Sequence, residues 1–372
     1  MNTLPTPPAA DLLYSETETE LRASLRRLLD DRCPPEWVVS GYDTTLDASG
    51  LWKAIAVDLG LAAILIPESC GGAGLGAREA AVVLEELGRA AAPVPFLSSA
   101  VLATVALSTI GERETLRRLA SGDSTAALAV PLSTSPDDLT PTVSADDTGL
   151  TGRITTVAGT ELADVLLVPV SDGDGVQLHQ VTLPADGVTM TPATALDMTR
   201  PLTDITLSGA ASTRIDSGDA EAAIRQALLC AAALLPSEQY GVASWCLDTT
   251  LAYLKQRRQF GRTIGSFQAV KHRMANLWLQ VGQTGALARY AADTYARRDL
   301  DTEIAVCVAQ SFCGDAAVLA AEECVQLHAG IAMTWEYPAH LYLKRAKADQ
   351  LALGAAHRYR NRLSQLVDLP SH

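Results

Sequence analysis

The sequence predicts an α+β protein, mostly α, in which an N-terminal helical domain and a C-terminal four-helix bundle flank a small β-barrel or sandwich. Three observations carry this. Helical apolar periodicity runs from about residue 15 to 120 and returns, Ala-rich, from 217 to the end. From about residue 126 the period shortens to β-branched runs separated by Asp, Gly and Pro. The last third divides into long helical stretches with short connections, the pattern of an antiparallel bundle. The expected domains are therefore 1–125, 126–216 and 217–372.

Residues 1–13 read as a loose Pro-rich arm. Ser15 and Glu18 have capping-box spacing, and Leu21, Leu25, Leu28 and Leu29 follow as one apolar stripe. A second helix carries Leu51, Trp52, Ile55 and Leu59, and further helices are expected over 77–89, 100–107 and 113–120. The glycines between Gly71 and Gly76 lack the basic or hydroxyl residue of a phosphate loop. Strands are expected over 150–159, 163–170, 176–183 and 205–208. In the bundle, helices are expected over 219–256, 266–298, 301–328 and 338–366, the first kinked where Pro236 removes a bond to the Ala232 carbonyl.

With 372 residues, 48% of them hydrophobic, the chain can bury a large core. Apolar runs such as 227–235 are too short to cross a bilayer, and the first residues lack a basic region followed by an apolar one. A cytoplasmic protein away from membranes is expected. Seven cysteines without C-x-x-C spacing read as reduced core thiols, and six histidines show no metal spacing. A net charge of −14 disfavours nucleic acid as a partner.

The stretch 251–273 reads as a helix end, a tight turn and a helix start, with Gly261 ending the first helix and Ser266 capping the second. Arg257, Phe260 and Gln268 gather a guanidinium, a ring and an amide there. That set suits a pyrophosphate or an adenine edge, and equally a capped helical hairpin with a solvated basic face.

The run R-x-x-F-G-x-x-I-x-x-F-Q from Arg257 to Gln268 resembles a motif of the acyl-CoA dehydrogenase family. The run from Trp52 through Leu59-Gly-Leu and Ile66-Pro-Glu68 to Gly74 resembles that family's N-terminal pattern. The resemblance covers nearly the whole chain and implies FAD, an acyl-CoA substrate and an electron-transfer flavoprotein as acceptor. It implies that Arg257 meets the FAD pyrophosphate of a neighbouring subunit, with Phe260 and Gln268 beside it and Arg262, on the turn, mattering less. Gln326 and Gly330 fall where the family approaches the adenosine half of FAD, although Ala329 and Ala332 replace two of its glycines.

In that family a glutamate removes the α-proton. The two positions where members carry it align with Leu353 and Ala231, which cannot accept a proton. Glu238 and Asp349 are the nearby candidates for a displaced base. The middle domain reads Ala129 to Ser135 and Arg153 to Val157 where the family has an acidic loop and a tryptophan over the flavin. This lopsided loss resembles the non-catalytic subunit of actinobacterial heteromeric enzymes of steroid side-chain degradation. In such a heterotetramer one chain supplies base and flavin pocket while the other supplies bundle contacts. A homotetramer with a relocated base, or a non-enzymatic structural or binding protein on the same fold, are the alternatives.

Overall fold

The computed structural model describes residues 12–42, 46–171, 173 and 175–367. Most of the expected loose arm lies outside them, but its last two residues are held. The Leu12 carbonyl accepts from Arg289 at 3.3 Å, and the Leu13 carbonyl accepts from Arg78 at 2.8 Å.

The N-terminal domain contains α1 (Glu16–Arg32), α2 (Pro35–Ser40), α3 (Ser49–Lys53), α4 (Ala77–Arg89), α5 (Thr104–Ile110) and α6 (Arg113–Ala120). The capping box of α1 forms as expected, and its Glu18 is also buried against Arg78 at 3.0 Å and Arg289 at 3.2 Å. The helix expected over 100–107 is wider: a π-helical stretch, Phe96–Ala103, runs directly into α5. Gly72 explains the glycine-rich loop without a ligand, since a Cβ there would lie 1.5 Å from the Ile66 carbonyl oxygen.

The middle domain is two four-stranded sheets with a shared core of Val143, Leu150, Val168, Ile205 and Leu207. Its strands are β1 (Ala126–Leu128), β2 (Val143–Asp146), β3 (Gly149–Ala158), β4 (Val165–Ser171), β5 (Val176–Thr182), β6 (Val188–Pro192), β7 (Leu202–Ala210) and β8 (Thr213–Arg214). The orders are β1-β4-β5-β8 and β2-β3-β7-β6. Pairing is antiparallel except for β1 with β4, which is parallel.

In the bundle α7 (Ala220–Gln256) continues through Pro236 as one element. The carbonyl that the proline leaves without its helical donor is satisfied from a neighbouring helix: Gln310 Nε2 donates to Ala232 O at 2.7 Å. After it come the short strands β9 (Arg258–Gln259) and β10 (Arg262–Thr263), then α8 (Gln268–Ala296) and α9 (Thr302–His328). The stretch Thr302–Met333 is long and apolar enough to cross a membrane, but 67% of its most apolar window is buried inside the protein. The expected last helix is two, α10 (Ala339–Leu351) and α11 (Ala356–Leu366), separated at Leu353 (φ 57°) and Gly354 (φ 108°).

The N-terminal domain and bundle meet where α4 crosses α7 on reciprocal glycines. A Cβ on Gly88 would lie 2.2 Å from Glu238 O, and one on Gly241 would lie 2.0 Å from Glu85 O. Backbone meets backbone there, so no side chain can yield. Gly241→Ala is expected to destabilise the protein by about 2–3 kcal/mol or to prevent folding. Urea unfolding of the variant beside wild type checks this, and an unchanged midpoint would contradict the packing.

Candidate functional site

Gly261 does have positive φ, 74°, but it does not end a helix. Phe260 also has positive φ, 53°, and the two form the tip of a hairpin in which Arg262 pairs with Gln259 and Thr263 with Arg258. Two consecutive left-handed residues are the type I′ signature, which matches the twist of a two-residue hairpin. The helix itself ends at Gln256, with Arg257 N–H donating to Tyr253 O. Ser266 does not cap α8 either: its hydroxyl donates to Thr263 O at 2.6 Å, and Phe267 occupies the cap position.

The hairpin leaves Phe260 89% exposed, with Arg257 and Gln268 exposed on either side. Gln326 and Gly330 lie at the same end of the bundle. Tyr253, in the last turn of α7, stacks on His328 at the end of α9 with ring centroids 4.4 Å apart. Arg273 of α8 bonds Glu323 of α9 through two 2.8 Å contacts. His328 is fixed between the Cys324 carbonyl and the Tyr337 hydroxyl, each at 2.7 Å. The next residue, Ala329, has φ 55° and ψ −135°, a conformation normally left to glycine. Nothing lies within 4 Å of where a Cβ of Gly330 would be, so its backbone is open to close approach.

The two base positions are elsewhere. Ala231 is buried inside α7, 26 residues before Arg257, which at 1.5 Å per residue is ~39 Å along the helix. Leu353 is buried, and its N–H donates to Leu132 O at 2.7 Å, so that amide is not free for a substrate carbonyl. Tyr359 donates to the Leu353 carbonyl at 2.5 Å and lines a cavity of about 850 Å³ with Ala222, Gln226 and Leu229 of α7. Next to Leu132, the space bounded by Pro95, Ser98, Leu102 and Arg200 amounts to about 20 Å³, room for one water.

The two altered middle-domain stretches do come together. Val130, Ser133, Thr134, Arg153 and Thr155 line a cleft of about 780 Å³ closed by Leu351 and Arg358. Among the described residues no aromatic ring lines it, and its arginines are paired, Arg358 with Asp138 and Arg153 with Asp204.

Glu238 and Asp349 are both fully buried in a cluster that sequence reasoning missed. Arg200 donates to both Glu238 oxygens at 2.6 and 2.7 Å, and to Asp349 Oδ1 at 2.6 Å. Arg345 Nε lies 2.9 Å from Glu238 Oε1, and Arg345 Nη1 lies 3.3 Å from Asp197. Three carboxylates face two guanidiniums, and Asp349 Oδ2 has no hydrogen-bond partner among the described residues. Burial, reinforced by the Glu238 charge, pushes the Asp349 carboxyl up to about 7. The Asp-x-x-Arg spacing of Asp197 and Arg200 was the available signal, but nothing local says that both side chains turn inward.

Residues 15–123 match the acyl-CoA dehydrogenase N-terminal domain and residues 221–366 the C-terminal domain. The acyl-CoA dehydrogenase IpdE2 of Mycolicibacterium smegmatis is 34% identical over 354 residues, 95% of this chain and 99% of that protein. Among solved structures, the ChsE4–ChsE5 complex from Mycobacterium tuberculosis superposes with a TM-score of 0.84 at 28% identity, covering 97% of this chain and 100% of that one. A variant of the steroid ACAD Tcur3481–Tcur3483 superposes at 0.84 with 29% identity, covering 95% and 98%.

Asp349 gives the cluster a pH signature. Its folded pKa is raised, so its contribution to stability is complete below the unfolded value near 4 and is lost as pH rises through about 7. Asp349→Asn keeps an acceptor for Arg200 and cannot ionise. Relative to wild type it is expected to gain about 1–4 kcal/mol between pH 4 and pH 8. Urea titrations at both ends of that range test this, and parallel stability curves for the two proteins would contradict it.

Proposed function

The chain belongs to the acyl-CoA dehydrogenase family of flavin-dependent oxidoreductases, and from that premise we propose that it is the non-catalytic subunit of a heteromeric enzyme. It contributes FAD contacts to an unlike chain that carries the base. The observation behind this reading is that the chain offers no free proton acceptor, since Leu353 and Ala231 are apolar and Glu238 and Asp349 are buried against Arg200. Arg257 lies 26 residues beyond Ala231, ~39 Å along α7. A cofactor held at the hairpin therefore belongs to a neighbour's reaction centre.

FAD fits at the hairpin end and not in the chain's own cleft. At the hairpin, Arg257 would hold the pyrophosphate with a charge-assisted fork, while Phe260 and Gln268 flank it. Gln326 and the open backbone of Gly330 would meet the adenosine half. Among the described residues the cleft has no ring to cover an isoalloxazine, and its arginines are already paired. Bound FAD supplies the hydride acceptor, and the partner's carboxylate removes the α-proton of an acyl-CoA. In this chain Leu353 and Ala231 offer no proton acceptor, and Glu238 and Asp349 are engaged by Arg200. A homotetramer with a relocated base would have to break that cluster.

The similarity to IpdE2, ChsE4–ChsE5 and the Tcur steroid ACAD supports a bulky, steroid-type acyl-CoA as the substrate and an acyl-CoA dehydrogenase-like partner. An electron-transfer flavoprotein is the proposed acceptor, and the cytoplasm the proposed compartment. Purified alone, the chain is expected to be nearly colourless, and with its partner to give a yellow complex holding fewer flavins than chains. A stoichiometric flavin spectrum from the chain alone would refute the heteromeric reading.

Arg257→Ala is expected to weaken FAD retention in the complex by about 10- to 100-fold, the equivalent of a lost charged hydrogen bond of about 1.5–3 kcal/mol, with the fold intact. Flavin content after gel filtration measures it. Retention equal to wild type would remove the hairpin from the cofactor site.

A further inference from the structure

Arg257 precedes β9, Phe260 follows it at the turn and Gln268 begins α8, so the hairpin must be held against the start of α8 for the three to act together. Backbone bonds do part of this: Ile264 N–H donates to Arg257 O at 2.9 Å, and Phe267 N–H to Ile264 O at 3.2 Å. They fix the base of the hairpin and leave its tip free.

The tip is held by side chains. The guanidinium carbon of Arg262 lies 3.9 Å from the centroid of the Phe267 ring. The Phe260 ring meets the same ring edge-on, at 6.2 Å and 88°. Phe267 is the residue from which α8 starts, immediately before Gln268. Arg262 stands opposite Gln259, the cross-strand pair next to the turn. Among the described residues it pairs with no carboxylate, so the ring is its partner. Arg262, expected from sequence to matter less than Arg257, is the side chain that joins the hairpin tip to the start of the next helix.

We propose that Arg262 is a positioning residue: its stack on Phe267 fixes Phe260 against the N-terminus of α8 and so sets the spacing of Arg257, Phe260 and Gln268. The cofactor half of this inference rests on the proposed FAD reading, while the positioning half is a property of the chain alone. An exposed cation–π contact is worth about 0.5–1 kcal/mol, which is about two- to fivefold in the population of an open hairpin. Arg262→Lys keeps a cation over the ring, whereas Arg262→Ala and Phe267→Leu do not.

The test is tryptic cleavage after Arg258 in the full chain, timed by mass spectrometry, together with the thermal midpoint and FAD retention in the assembled enzyme. Cleavage is expected to speed up about two- to fivefold in Arg262→Ala and Phe267→Leu and to stay near the wild-type rate in Arg262→Lys, with the midpoint unchanged. FAD retention is expected to follow the same order. Unchanged cleavage in Arg262→Ala, or equal acceleration in the Ala and Lys variants, overturns the proposal. If cleavage behaves as expected but neither Arg262→Ala nor Arg257→Ala alters flavin content, the positioning role stands and the assignment of FAD to this hairpin falls.

Discussion

The position of Glu238 constrains more of this molecule than any other contact. Its backbone carbonyl is the surface against which Gly88 brings α4, and its carboxylate joins Arg200 of the middle domain to Arg345 of α10. One residue of α7 thus faces the N-terminal domain with its main chain and the two other parts with its side chain. Buried ion pairs of this kind add little net stability over an apolar core, because desolvation offsets the attraction. Their worth lies in direction. Removing one member strands a charge at a cost of about 3–5 kcal/mol, so alternative packings of the three parts are disfavoured.

The same arrangement decides what the centre of the molecule can do. A general base needs a carboxylate that reaches a substrate proton. Here the interior carboxylates point at guanidiniums, the Leu353 amide points at Leu132, and the space beside them has room for one water. The polar groups at this centre are used to join parts. At the far end the balance reverses: Phe260, which meets only the edge of Phe267 among the described rings, and Arg257 are both exposed. Carboxylates held by guanidiniums inside and an exposed guanidinium and ring outside are consistent with the proposed role as a subunit completed by another chain.

What the sequence disclosed followed from how local each signal is. The capping box at Ser15 and Glu18 and the helix Ala77–Arg89 are set by neighbours a few residues apart, and both appear as expected. Gly261 announced positive φ correctly, but one glycine cannot tell a helix C-cap from a type I′ hairpin. The deciding residue was Phe260, whose own positive φ no propensity suggests. The last helix looks continuous in sequence because Leu353 fits a helical stripe, while Gly354 beside it carries the only hint of a break. The strand Val188–Pro192 is exposed and ends in proline, so it lacks the alternation that reveals a half-buried strand. The candidate residues of the hairpin were legible through a long motif. The Arg200–Glu238–Asp349–Arg345 cluster was not, because its members lie up to 149 residues apart and their meeting is purely tertiary. Gln310, which answers the orphaned carbonyl of Ala232, was invisible for the same reason.

Ala329 carries a consequence for how the recognition end behaves. Its φ and ψ lie where an L-residue resists, at a cost of order 1–3 kcal/mol, and it keeps them because His328 just before it is clamped by Cys324 and Tyr337. The shape of the turn is therefore held by its surroundings and not chosen by its own residue. Tyr253 stacks on the other side of this arrangement, its ring centroid 4.4 Å from that of His328, so two tyrosines and one histidine line up behind the turn. The loop's form is thus a property of its surroundings, and a change at His328 or Tyr337 reaches the open backbone of Gly330, two residues after His328.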